Sequence, residues 1–248
     1  MDHSNKTQAE PRQRDRRRFL TILAAAGVGG LVGEGLAPRL AYAATLTKTQ
    51  RDEMTPEQII ALMKQGNERF RKGDRLTRDY IAEQNAAAKG QYPAAIILSC
   101  IDSRAPAEVI MDLGIGDVFN SRVAGNISND DILGSMEFAC KAAGAKVVLV
   151  MGHTSCGAIK GAIDGVKLGN LTGLLAKIYP AVEATTFQGD RSSKNPAFVD
   201  AVARKNVELT MISIRANSAI LRNLESVKAI KIGGAIYDLN TAKVDFLV

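Results

Sequence analysis

Two short stretches of this chain bring together side chains that bind metals. Gly152-His153-Thr154-Ser155-Cys156-Gly157 sets an imidazole and a thiol three residues apart, and Cys100-Ile101-Asp102-Ser103-Arg104 adds a second thiol, a carboxylate and a guanidinium. Neutral imidazole and thiolate are good zinc ligands, and three protein ligands with a fourth position open is the catalytic arrangement for that metal. Singly the pieces say little, because His-x-x-Cys arises by chance and a lone buried cysteine is usually an inert small hydrophobe. Together they define Cys100, His153 and Cys156 as expected zinc ligands, one ion per chain. The chain has two histidines, and the other, His3, lies in an amino-terminal leader.

The elements around these residues explain how they could meet. The apolar run Lys146-Val147-Val148-Leu149-Val150-Met151 reads as a buried strand ending where His153 begins, and Ala94-Ala95-Ile96-Ile97-Leu98 ends the same way at Cys100. Cys156 then opens a helix over Ala158 to Ile163, where free amides and the macrodipole favour a thiolate. Thr55-Pro56-Glu57-Gln58 carries cap signals for a helix from Pro56 that is expected to stop at Gly66. Further helices are expected over Asp79 to Lys89, Pro106 to Leu113, Asp131 to Ala143, Leu171 to Ala184 and Pro196 to Ile214. A second strand is expected near Asp117 to Arg122 and a closing pair over Ala229 to Leu239 and Val244 to Leu247. Strands alternate with helices, so the class is α/β with a mainly parallel sheet. Ligands of such sheets bind beyond the strand ends where strand order reverses. Cys100 and His153 converge there only if their strands are neighbours, which predicts the order 2-1-3-4 plus an antiparallel edge strand.

Length and composition bound the rest. At 248 residues and 46% hydrophobic content the chain can bury a full core without disulfides. The division expected is an export signal over 1–43, an amino-terminal helical arm over 44–93 and a zinc-binding catalytic core over 94–248. Of the net charge of +6, residues 1–43 supply seven Lys/Arg against four Asp/Glu, leaving 25 against 22 beyond them. The high pI is thus partly the leader's. No basic stripe with interleaved aromatics marks a nucleic-acid surface. Arg16-Arg17-Arg18-Phe19-Leu20, the apolar segment Ile22 to Val32 and Ala41-Tyr42-Ala43 are the parts of an export signal of twin-arginine type. The apolar run is too short for a good membrane span. A periplasmic or extracellular location is therefore expected, with an uncleaved amphipathic anchor as the alternative. Cys140, on an apolar helix face, is expected to be a packing thiol.

The two ligand stretches resemble the two signature segments of the β-class carbonic anhydrases. The resemblance extends to Gly66-Asn67-Glu68-Arg69-Phe70, Gly116-Asp117-Val118-Phe119, Ala124-Gly125-Asn126 and Gly234-Ala235-Ile236-Tyr237-Asp238-Leu239, covering roughly residues 55 to 248. Val123 departs from the asparagine that many members carry in that loop, away from the metal positions. The resemblance implies reversible hydration of carbon dioxide to bicarbonate and a proton. It also implies zinc on Cys100, His153 and Cys156, with water or Asp102 fourth and Asp102 otherwise paired with Arg104. Dimers, or tetramers built on dimers, are implied as well. The inhibitory bicarbonate site of some members uses a tryptophan, and this chain has none.

The chemistry is consistent with that implication. Two thiolates neutralise the zinc charge, so water there is less acidified than in a three-histidine site, whose water titrates near about 7. Arg104 opposes a swing of Asp102 onto the metal and fixes the carboxylate as an acceptor facing the site. Other readings remain open at this stage. The same zinc site could hydrolyse carbonyl sulfide or carbon disulfide, or Asp102 could close the fourth position in a non-catalytic zinc protein. A dithiol redox role for Cys100 and Cys156 is weaker, since no C-x-x-C motif is present.

Overall fold

The computed structural model describes residues 45–247. The expected export signal over 1–43, with Arg16, Arg17 and the Ala41-Tyr42-Ala43 site, lies outside the described residues. Five strands form one sheet in the order β2-β1-β3-β4-β5, with β1 Ala95–Ser99, β2 Val118–Arg122, β3 Val147–His153, β4 Lys231–Tyr237 and β5 Val244–Leu247. β1 pairs in parallel with β2 and β3, β3 in parallel with β4, and β5 runs antiparallel to β4. This is the order that convergence of Cys100 and His153 required.

β1 and β3 are buried along their whole length because both faces of the sheet are covered. The period of two sorts their side chains into two cores. Ile97, Leu149 and Met151 face one way with Ile59, Ile60 and Met63 of α2 (Pro56–Arg71), while Ile96, Leu98, Val148 and Val150 face the other with Val207 and Ile214 of α8 (Pro196–Asn217). Each such aliphatic side chain contributes roughly 1.5–3 kcal/mol by leaving water.

The remaining helices are α1 Lys48–Glu53, α3 Tyr80–Ala87, α4 Ala107–Ile110, α5 Asp130–Glu137, α6 Gly157–Ile163, α7 Gly169–Ala184 and α9 Ala219–Ser226. α2 starts as its sequence dictates: Thr55 Oγ1 accepts from Gln58 N–H, the Gln58 side chain accepts from Thr55 N–H, and Pro56 follows. It does not stop at Gly66 but runs on to Arg71. Gly66 is a packing requirement there, since a Cβ would collide with the Met111 carbonyl. The helix expected over 131–143 is α only to Glu137 and closes as a π turn over Phe138–Ala142.

Helix α2 and the segment that carries Arg78 and Glu83 are tied to the connection before β2 by buried charges. Arg78 pairs with Glu83 at 2.9 Å and Arg69 with Asp112 at 2.6 Å, with Asp112 and Glu83 fully enclosed. Glu83 also accepts from Ile115 N–H and Asp112 Oδ2 from Leu76 N–H, while Asp112 Oδ1 accepts no hydrogen bond and faces the Arg75 and Arg78 guanidiniums at 3.5 and 3.8 Å. Among the described residues no helix is long and apolar enough to cross a membrane.

Candidate metal centre

The site lies where strand order reverses, between the carboxyl ends of β1 and β3. Cys100 is the first residue past β1, His153 is the last of β3, and Cys156 is the N-cap of α6. Their ligand atoms all lie within 4.8 Å of one another, and the three residues are buried. The two sulfurs are 4.0 Å apart. That is far beyond a disulfide of about 2.05 Å. It is close to the roughly 3.8 Å that two bonds of about 2.3 Å make at a tetrahedral angle.

Each donor is prepared for a cation. His153 Nδ1 hydrogen-bonds the Thr154 carbonyl oxygen at 2.9 Å, which assigns the proton to Nδ1 and leaves Nε2 bare. Nε2 is buried with no hydrogen-bond partner. Between the thiols a hydrogen bond from Cys156 draws Cys100 down to about 4 against the cost of burial, helped by His153 and the amides of Gly125 and Asp102. The same contact pushes Cys156 up, although the amides of Ile159 and Ala158 at the start of α6 favour its ionised form. Two adjacent thiols that favour a single shared charge can both ionise only around a cation. A buried donor set of two sulfurs and one imidazole therefore fits a metal ion. Cys140 lies in the π turn beside α5, away from this cluster, and burial alone pushes its thiol up to about 12.

Asp102 stands at the edge of the cluster. Its Oδ1 accepts from Arg104 N–H at 2.9 Å and Arg104 Nε at 3.0 Å, and its Oδ2 accepts from Arg104 Nη2 at 2.8 Å. The Arg104 guanidinium holds this carboxyl well below the usual carboxylate range. Asp102 Oδ2 is 3.8 Å from His153 Nε2, so the carboxylate faces the ligand atoms while bonded to Arg104.

Supporting residues surround the cluster, and of these Gly125 alone stood in one of the segments that carry the resemblance. Gly125 N–H donates to Cys100 Sγ at 3.4 Å, and Asn206 Nδ2 holds the Gly125 carbonyl at 2.7 Å. Gly125 has φ +69°, and a Cβ there would drive into Ile178 Cδ1. Asp200 of α8 accepts from Ser155 N–H at 2.9 Å and braces that residue at φ 54°. Arg122 donates to the carbonyls of Cys100 and Asp102. Only Gly125 carried a legible signal, a glycine in a loop beside a strand end. Val123 leaves the loop intact, with its N–H on the Ser99 carbonyl at 3.0 Å.

Comparison with known proteins agrees with this geometry. A family model described as carbonic anhydrase matches residues 95–244. The chain is 32% identical over 183 residues to carbonic anhydrase 2 of Mycobacterium tuberculosis, which spans 73% of this chain and 87% of that protein. It is 29% identical over 185 residues to a carbonic anhydrase of Mycolicibacterium smegmatis, 74% of this chain and 89% of that one. Among solved structures, a tetrameric β-carbonic anhydrase from Sordaria macrospora superposes with a TM-score of 0.58 at 26% identity, covering 68% of this chain and 89% of that chain. A β-carbonic anhydrase of Aspergillus fumigatus gives 0.59 at 28%, covering 66% and 79%. Sheet order, the buried Cys-His-Cys cluster and these likenesses agree, and the chain belongs to the carbonic anhydrase family, in its β class.

Proposed function

We propose that this chain reversibly hydrates carbon dioxide at a zinc ion held by Cys100, His153 and Cys156, with Asp102 and Arg104 acting beside it. The carrying observation is the convergence of two thiols and a bare imidazole nitrogen in one buried cluster. Two soft sulfurs with one imidazole suit zinc better than the hard, oxygen-seeking cations. When bound there, zinc acidifies water and so supplies the nucleophile for carbon dioxide.

The chain's own residues do the rest. Thr154 fixes the His153 tautomer. Arg104 keeps Asp102 ionised and holds it at the edge of the ligand cluster, facing it, so the carboxylate can accept a hydrogen bond from water and orient it. Ile127, Ile159, Leu175 and Ile178 belong to the same apolar cluster as both cysteines, a wall suited to an apolar substrate. With His153 Nδ1 on Thr154 and Nε2 facing the cluster, no second histidine among the described residues is free to shuttle protons. The maximal rate is therefore expected to rise with buffer concentration.

Stopped-flow hydration on zinc-loaded protein, with carbonyl sulfide and carbon disulfide as parallel substrates, is the test. Zinc-loaded protein that consumes a sulfur analogue and leaves carbon dioxide untouched would overturn the assignment. Two further properties accompany this reading. Homodimers or tetramers are supported by the tetrameric Sordaria relatives and would be measured by light scattering. Twin-arginine export is supported by Arg16-Arg17-Arg18-Phe19-Leu20, and normal export after changing Arg16 and Arg17 to Lys would rule it out.

A further inference from the structure

A loop that supplies both a metal ligand and a carboxylate needs a fixed backbone, and residues 100–105 hold few bonds of their own. Inside the loop, Arg104 N–H donates to Asp102 Oδ1 and Ala105 N–H to the Asp102 carbonyl at 3.0 Å. Gly125 N–H reaches the Cys100 sulfur from outside, and the loop's two outer carbonyls are held from the edge strand. Arg122, last residue of β2, stands in register with Ser99, and its Nε donates to the Cys100 carbonyl at 2.8 Å while Nη2 donates to the Asp102 carbonyl at 2.6 Å. One guanidinium thus spans the peptide units on either side of the Ile101-Asp102 pair. Its rigid fork can hold two acceptors at fixed separation, which a lysine ammonium cannot.

We propose that Arg122 is a positioning residue of the hydration reaction, clamping the Cys100–Asp102 backbone so that the Asp102 carboxylate stays on Arg104 and off the ligand cluster. The carboxylate needs such a restraint because its Oδ2 is already only 3.8 Å from His153 Nε2. The clamp acts through the backbone: the Arg122 hydrogen bonds go to the Cys100 and Asp102 carbonyls, which set where the side chains point, and not to the Asp102 carboxylate. Arg104 and Arg122 accordingly do different work, the first binding the carboxylate and the second holding the peptide that carries it. The inference rests on the reading that Asp102 serves hydration.

The test uses the zinc-loaded full chain with Arg122→Ala and Arg122→Lys, measuring zinc content, melting temperature, kcat, KM and hydrogen exchange of the 100–105 segment. Expected in both variants are near-normal zinc and melting, faster exchange confined to that segment, and kcat lowered by about 10- to 100-fold with KM little changed, the range for partners of metal ligands. Added guanidinium ion should restore part of kcat in Arg122→Ala and none in Arg122→Lys, where the ammonium fills the space. A lysine variant with wild-type kcat and exchange would overturn the proposal, since charge alone would then suffice. So would an alanine variant whose activity falls only in step with its zinc content. A wild-type enzyme inactive on carbon dioxide would sink the functional reading instead, and segment exchange in the two variants would still decide whether Arg122 is the clamp.

Discussion

The three cysteines of this chain are equally hidden, at 4%, 6% and 2% exposure for Cys100, Cys140 and Cys156, yet they sit in opposite surroundings. Around Cys140 the apolar side of the sheet supplies nothing but burial, and its thiol is pushed up to about 12. Around Cys100 the Cys156 sulfur, then the His153 ring and the amides of Gly125 and Asp102, outweigh a similar burial and draw the thiol down to about 4. Burial is therefore no guide to which thiol is reactive. What separates the two regions is the set of partners around the sulfur: a second thiol first, then an imidazole and the amides that come free where a strand ends, against a mid-helix position where the amides are already used.

The sharpest way to break this comparison is to delete the expected ligands of the cluster one at a time. Cys100→Ala, His153→Ala or Cys156→Ala should cost more than about 100-fold in zinc affinity, beyond the range typical of outer-shell changes, with hydration falling to background. Metal analysis after dialysis checks it, and a Cys156→Ala protein with full zinc would remove that residue from the site.

Next in size is Arg104→Ala, expected to lower kcat by about 10- to 100-fold, most strongly at low pH. Freed from Arg104, Asp102 would compete with water for the open position on a zinc held by Cys100, His153 and Cys156, and water would gain as it ionises, so the deficit should shrink as pH rises. Protonation of Asp102 is not the cause. Its folded pKa is held below the ordinary value of about 3.9, so the pair's stabilisation is complete above that pH and is lost only as pH falls beneath it. A variant with an unaltered pH–rate profile would reduce Arg104 to a structural residue.

Gly125→Ala probes the donors themselves. It places a Cβ against Ile178 at a left-handed φ and disturbs the amide facing Cys100, so a loss of about 1–3 kcal/mol in stability is expected together with weaker zinc retention. Denaturant titration with and without zinc separates the two effects. Smallest is Cys140→Ala, which should leave zinc stoichiometry unchanged and cost about 1 kcal/mol of stability. Loss of metal from that variant would reverse the comparison.

Much of this was legible in the sequence because it depended on local pattern. The strand ends carrying Cys100 and His153, the cap at Thr55 and the packing role of Cys140 follow from periodicity and spacing, and the strand order followed from asking where two ligands could meet. Gly66 misled because a glycine inside a helix looks like a stop, and its reason is the Met111 backbone, distant in sequence. Helix α9 was passed over because one residue, Ser218, separates it from the long α8, although that serine caps α9 by accepting from Leu221 N–H. Arg122, Asn206 and Asp200 were invisible as site residues because each acts on backbone atoms of a remote segment. Asn206 reaches the Gly125 carbonyl across 81 residues, and no side-chain pattern advertises such a contact.

The central claim is the ligand set, and zinc-edge X-ray absorption of the loaded full-length protein measures it most directly. Two sulfurs at about 2.3 Å and two lighter N/O donors near about 2.0 Å, one with imidazole scattering, are expected, with the same shell in Cys140→Ala. A shell with one sulfur or three, or one altered by Cys140→Ala, would contradict the account.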